Sequence, residues 1–259
     1  MIDLEKRLWT REEEIIVFNL YCKIPFQRSS KSHPDVIKTA KIIGRSPSAV
    51  NMKIGNLGIF DETLKKQGIV GLGNASKLDE QIWNEFNGKW DELAFESERL
   101  IAERQGVSID SELIEDLNIP SGKVKGVTIK QRVNQSFFRK AVLTSYGYAC
   151  CITGLNTVSL LIASHIKPWN VSSDIEKTNP CNGLCLNSLH DRAFDKGFLT
   201  VTPDNIIHIS HNITDIYNGA VVDRFFTIYD GKQIALPEKF TPKREFLQYH
   251  NDVVFESWM

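Results

Sequence analysis

His165, Asn182 and His190 are the residues of this chain whose types and order best suit chemistry. An imidazole can exchange a proton near neutral pH or ligate a metal, and an amide side chain can fix a loop or orient a neighbouring ring. A histidine, an asparagine and a second histidine in this order and spacing are what a hydrolytic site built on one metal ion needs. They lie within ASHIKPW, from Ala163, and NPCNGLCLNSLHDRAFDKGF, from Asn179 to Phe198.

The local patterns say which elements carry them. His165 closes the apolar run LLIASHI just before a turn, so it ends a strand with its ring facing a cleft. Asn182 follows seventeen positions later in a turn bounded by Pro180 and Gly183. From Leu184 onward apolar residues at 186, 189, 193 and 194 have helical spacing, and Gly197 stands where a helix stops. His190 therefore lies on that helix.

A strand, a loop and a helix presenting His, Asn and His resemble the ββα-metal motif of the HNH endonucleases. The wording SHIKPW and NPxNGLCLNxLHDRAFDxG resembles a bacterial branch of restriction endonucleases in that family. The resemblance implies that His165 is the general base that takes a proton from the attacking water, a task that suits a neutral imidazole. It implies that Asn182 holds the loop and orients the base, and that His190 ligates one divalent cation, Mg²⁺ or Mn²⁺. Arg192, beside His190, is placed to hold a phosphate oxygen through its fork.

Two departures from the family pattern bear on the metal shell. Many relatives have an acid or a histidine just before the base, where this chain has Ser164, a poor ligand for a hard cation. Asp191 or Asp195 then supplies the oxygen, directly or through water, although one and five residues beyond His190 are offset from its helical face. A D-R-x-x-D run also forms local ion pairs, which is the plainer reading of Asp191, Arg192 and Asp195. Many relatives also carry CxxC pairs; here Cys150 and Cys151 are adjacent and Cys181 and Cys185 are separated by three residues, so structural zinc is not expected.

Charge is segregated along the chain although the net charge is only -1. Between Leu117 and Ser173 there is no acid, while Lys123, Lys125, Lys130, Arg132, Arg139, Lys140 and Lys167 are basic. Lys23 to Lys66 is also basic, and Asp79 to Asp116 is strongly acidic. Two basic segments separated by an acidic one point to DNA-facing surfaces and a solvated connector. Arg139, Lys140 and Lys167 are the expected backbone contacts beside the site; Lys167 and Trp169 serve equally as packing for the turn.

The N-terminal region reads as helical. Thr10 opens a helix with acids in its first turn, Pro34 begins a second that stops at Gly44, and Ser46-Pro47 opens a third. The turn Gly44-Arg45-Ser46 gives a helix-turn-helix outline, and WTxEEE with GRSPSAVxxK is more distantly similar to Myb or SANT modules. A DNA-binding role predicts that Ser46, Ser48, Asn51, Met52 and Lys53 face the major groove and Arg45 a phosphate, with Ala49, Val50, Ile54 and Leu57 inside. The same outline also serves protein contacts.

Helices are predicted over 78–86 and 89–105, with Trp83, Phe86, Trp90 and Leu93 packing as a stripe, and a linker over 108–127. After the metal helix, hairpins are expected at Pro203-Asp204-Asn205 and at Asp230-Gly231. No Walker loop, GxGxxG or GxSxG elbow appears in the sequence. The expected class is α+β, with a helical recognition domain over 1–88, a connector over 89–127 and an HNH domain over 128–259. The expected activity is metal-dependent DNA endonuclease in restriction or defence, with DNA as partner, a homodimer or successive nicks for a double-strand break, and no membrane. A cytoplasmic location is expected from the absence of a signal-peptide core and from five cysteines without a disulfide framework. The competing readings are a DNA-binding regulator on an inactive HNH scaffold and a nuclease toxin.

Overall fold

The computed structural model describes residues 7–109, 129–216 and 219–255. The expected linker lies almost wholly outside the described residues, as do Lys123 and Lys125. The chain divides into two units, one ending at Thr144 and the other beginning at Ser145. Its class is α+β.

In the N-terminal unit, α1 (Arg11–Lys23) begins with the Thr10 hydroxyl accepting from the Glu13 N–H and the Glu13 carboxylate returning to Thr10. This reciprocal cap satisfies two of the amides that the first turn leaves without partners. α2 (Pro34–Ile43) ends at Gly44, whose φ of 65° is the left-handed conformation that glycine adopts without strain. α3 (Pro47–Leu57) starts on the Ser46 side chain with Pro47 at its first position. α4 (Glu62–Lys66), α5 (Lys77–Phe86) and α6 (Trp90–Gln105) follow.

The core of this unit is aromatic. Phe18 of α1 stacks on Trp83 of α5 at 4.9 Å between centroids, and Trp83, Phe86, Trp90 and Leu93 are all buried, as their spacing predicts. Val50, Ile54 and Leu57 of α3 are inside too. α7 (Ile129–Ser145) packs here through Phe137, stacked on Trp90 at 6.3 Å, and through the ion pairs Lys130–Asp91 and Lys140–Asp35.

The C-terminal unit is built on a two-stranded antiparallel sheet, β1 (Leu161–His165) with β2 (Gly183–Asn187). The register runs from Leu161 opposite Asn187 to His165 opposite Gly183, so His165 stands at the end where β1 exits and β2 begins. The connection contains α8 (Asp174–Thr178), and β2 leads directly into α9 (Ser188–Asp195), capped by the Asn187 side chain. β3 (Leu199–Val201) and β4 (Ile207–Ile209) form the expected hairpin, with Asn205 at φ 64° in its turn. α10 (His211–Ile216), α11 (Ala220–Phe225) and α12 (Arg244–Tyr249) complete the unit, and α12 continues into a π-helical turn, His250–Val254.

The second expected hairpin does not form. Thr227–Tyr229 is a short 3₁₀ turn, and Gln233 makes one isolated bridge to Ile206, so the segment after Gly231 extends the first hairpin instead of pairing with itself. Asp230-Gly231 is a turn, but the residues before it are helical. Among the described residues, no helix is long and apolar enough to cross a membrane.

Candidate active site

His165 is fixed by main-chain chemistry. Its Nε2 lies 2.9 Å from the Lys177 carbonyl, which can only accept, so the proton is on Nε2 and the ring's lone pair is on Nδ1. Trp169 meets the ring edge-on at 5.3 Å. Burial holds the His165 pKa below the ordinary histidine value, and the bond to Lys177 opposes that only partly. The ring is therefore neutral at pH 7, with one nitrogen anchored and the other basic.

Asn182 is fully buried and closes the loop between β1 and β2. Its Oδ1 accepts from the Lys167 N–H at 2.8 Å, and its Nδ2 donates to the Glu176 carbonyl at 3.2 Å and the Lys167 carbonyl at 3.4 Å. Its own carbonyl accepts from the Ile166 N–H at 2.9 Å. One amide thus binds the exit of β1 to α8, and α8 supplies the carbonyl that holds the base.

The helix presents two different faces. His190 is buried and has both ring nitrogens engaged: Nε2 donates to the Phe225 carbonyl at 2.8 Å, and Nδ1 accepts from the Asn187 amide at 2.8 Å. Its ring lies edge-on to Phe226 and Tyr229 and lines a pocket of about 670 Å³ with Phe225, Ile228 and Leu189. Burial lowers its pKa, against the Phe225 bond. This is the environment of a satisfied interior histidine, and metal ligation through it requires one of these bonds to break.

Asp191 and Asp195 are four residues apart and so share the next face. Burial raises the Asp191 carboxyl, the nearby Ser164 hydroxyl draws it back and the charge on Asp195 raises it again, while Ser164 Oγ is buried without a hydrogen-bond partner. Partial burial likewise raises Asp195, against Arg192 and Lys196. Ser164, buried in β1 immediately before His165, therefore lies near Asp191, whose carboxylate also feels the charge of Asp195. Among the described residues, no three His, Cys, Asp or Glu side chains are grouped as a complete metal shell. The two carboxylates are hard oxygen donors of the kind a divalent cation takes together with water and phosphate.

The other predicted residues are distributed unevenly. Arg192 is exposed on α9, and Arg139 is exposed on α7. Lys167 spans both Glu176 oxygens at 2.8 Å and lies 5.5 Å from the Tyr249 ring centroid. Asn51 is half-buried, with Oδ1 inside and without a hydrogen bond.

Arg45 and Lys53 do not face a groove. The Arg45 guanidinium binds the buried Glu13 carboxylate and the carbonyls of Arg7 and Leu8, while Lys53 bridges Glu14 at 3.0 Å and Asp79 at 2.6 Å. Both cations lie over the Trp9 ring. On α3 the exposed residues are Ser48 and Met52.

Residues that spacing did not single out complete the arrangement: Glu176 and the Lys177 carbonyl beside the base, and Asn187 beside His190. The S-x-x-E pattern at Ser173–Glu176 was the available signal for the first. Cys150, Cys151 and Cys185 are buried side by side as apolar packing, with the Cys151 N–H donating to the Cys185 carbonyl at 2.8 Å.

An antiparallel hairpin followed by a helix, with a histidine at the strand exit and an asparagine clamping the loop, defines a ββα site. Residues 150–202 match the family model of the HNH endonucleases, a span that holds β1, β2, α9 and β3 with His165, Asn182, His190, Asp191 and Asp195. The C-terminal half thus carries a domain similar to HNH nucleases. No curated protein matches the chain.

Proposed function

We propose that the chain is a metal-dependent DNA endonuclease acting in restriction or defence. The observation that carries the reading is the state of His165: neutral, with its tautomer set by the Lys177 carbonyl, next in β1 to Ser164, whose buried hydroxyl lies near Asp191.

In this reading His165 Nδ1 accepts the proton of a water molecule, whose oxygen attacks the phosphorus while the 3′-oxygen leaves. Asn182 keeps β1 and α8 in register so that the ring does not turn. Asp191 and Asp195 would hold a divalent cation, which would supply positive charge to the scissile phosphate and the leaving oxygen. His190 supports the helix through Asn187 and Phe225, so the metal contact expected of it falls to the neighbouring acids. Arg192 is placed for a phosphate oxygen. The inactive-scaffold reading rested on Ser164; Asp191 beside it supplies the oxygen ligand that an acid at that position would have given.

The N-terminal unit would select DNA through the exposed face of α3 and through Arg139, without Arg45 or Lys53. One such site cuts one strand, so double-strand cleavage takes a second copy or a second nick. The test is conversion of supercoiled plasmid, modified and unmodified, to nicked and linear forms. Cleavage that needs Mg²⁺ or Mn²⁺, stops with chelator and is lost in Asp191→Asn and Asp195→Asn supports the reading. Full activity in both variants removes the metal assignment.

A further inference from the structure

We propose that Glu176 is a positioning residue for the base, acting through α8 as a latch whose two consecutive carbonyls hold Asn182 and His165. The inference rests on the nuclease reading above and adds to it the part that keeps the base in place.

α8 is five residues long, too short to persist on its own helical propensity. Its carbonyls nevertheless carry the site: that of Glu176 accepts from Asn182, and that of Lys177 accepts from His165. The Glu176 carboxylate is the group that holds α8 down. One oxygen accepts from the Ser173 N–H at 2.7 Å while the Ser173 hydroxyl accepts from the Glu176 N–H at 3.3 Å, closing a reciprocal cap. Both oxygens also bind the Lys167 ammonium at 2.8 Å, and Lys167 is the second residue beyond His165.

Lys167 closes the ring from the other side, because its N–H donates to Asn182 Oδ1. The chain of contacts therefore runs from the exit of β1 through Lys167 and Glu176 into α8, and back through two carbonyls to Asn182 and His165. A second clasp supports the same turn: the Lys177 ammonium lies 5.3 Å from the Trp169 ring centroid, and Trp169 lies against His165. In this arrangement Lys167 is the cation of the latch, and its charge is spent on Glu176 and not on a phosphate. The carboxylate is held below its usual range, since the bonds from Lys167 and Ser173 and the Lys167 charge outweigh its burial.

The test compares Glu176→Gln, which keeps an oxygen for the cap but removes the charge that Lys167 binds, with Glu176→Ala, which removes both. Plasmid nicking is expected to lose about tenfold in kcat in the first variant and about a hundredfold in the second, at unchanged KM, the scale of a misplaced catalytic group. Lys167→Met is expected to match Glu176→Gln. Nitrogen-15 NMR of the His165 ring should show the Nε2–H tautomer alone in the wild type and a mixture of tautomers in Glu176→Ala. Wild-type kcat in Glu176→Ala, or an unchanged His165 tautomer, overturns the proposal. So does a change in KM alone, which would make Lys167 a phosphate contact that Glu176 merely masks. If the wild type cuts no DNA at all, the nuclease reading fails, and the ring spectrum still decides the latch.

Discussion

In the N-terminal unit Arg45 and Lys53 are drawn inside to neutralise Glu13, Glu14 and Asp79, whereas in the C-terminal unit the groups nearest the site are held by backbone carbonyls, with Arg192 and Asp195 at the surface. The first pattern uses charge as structure: each buried ion is costly alone and tolerable only in its pair. The second uses neutral rings and main-chain dipoles to fix geometry, which leaves charge available for a ligand. A basic segment is thus not by itself a DNA-binding face, and the acid-free helix α7 shows the same point, with two of its lysines in ion pairs within its own unit.

The contrast breaks most visibly on removal of Lys53. Lys53→Met leaves Glu14 and Asp79 buried without a counter-charge and is expected to destabilise the N-terminal unit by about 3–5 kcal/mol, measured by hydrogen exchange of α1, α3 and α5. An effect close to zero would return Lys53 to the surface.

Acidity should move the two units in opposite directions. Burial raises Glu14 to about 7, against its bond and attraction to Lys53 and with the charge of Asp79 adding to the rise. The folded chain keeps a proton that the unfolded chain has released, so the N-terminal unit loses stability as pH rises from about 4.5 to about 7. His250 is lowered to about 4 by burial, against its bond to the Phe194 carbonyl, and its ring stacks on Phe194 at 3.6 Å. There the unfolded chain takes up the proton first, so the C-terminal unit loses about 3 kcal/mol as pH falls from about 6.5 to about 4. Residue-resolved exchange across pH 4 to 7 should show the two slopes with opposite sign, and a common slope would contradict this account.

A smaller effect is expected at Asn182→Ala, which strands the Lys167 N–H and costs the loop about 1–3 kcal/mol. The smallest is Arg244→Ala, whose exposed pair with Asp204 is worth less than about 1 kcal/mol in thermal unfolding.

Local signals make much of this architecture legible in the amino-acid order. Thr10, Ser46, Pro47 and Gly44 mark their helix ends because each satisfies or terminates backbone hydrogen bonding locally, and the β3–β4 hairpin follows from its turn residues. The helical spacing read from Leu184 holds only from Ser188, because Gly183–Asn187 pairs with β1 as a strand. His165 and Asn182 are where their sequence context puts them. What short-range pattern cannot show is which partner a charged or ring side chain finds. Lys53 looks like a groove-facing residue until Glu14 and Asp79 arrive from two other helices, and no local pattern shows that His190 Nε2 is bonded to the Phe225 carbonyl thirty-five residues away. An amphipathic stripe such as that of α7 likewise does not name the surface it packs on, and Asp230-Gly231 turns without strands to join because the following segment bridges to Ile206.

The role of His165 as the base of a DNA-cutting site is tested by plasmid nicking in Mn²⁺ by the wild type and by His165→Ala, with and without added imidazole. The account predicts a loss of about 10²–10⁴-fold in His165→Ala with DNA binding retained, and partial recovery when free imidazole takes up the proton. Nicking by His165→Ala at the wild-type rate, with imidazole making no difference, would contradict it.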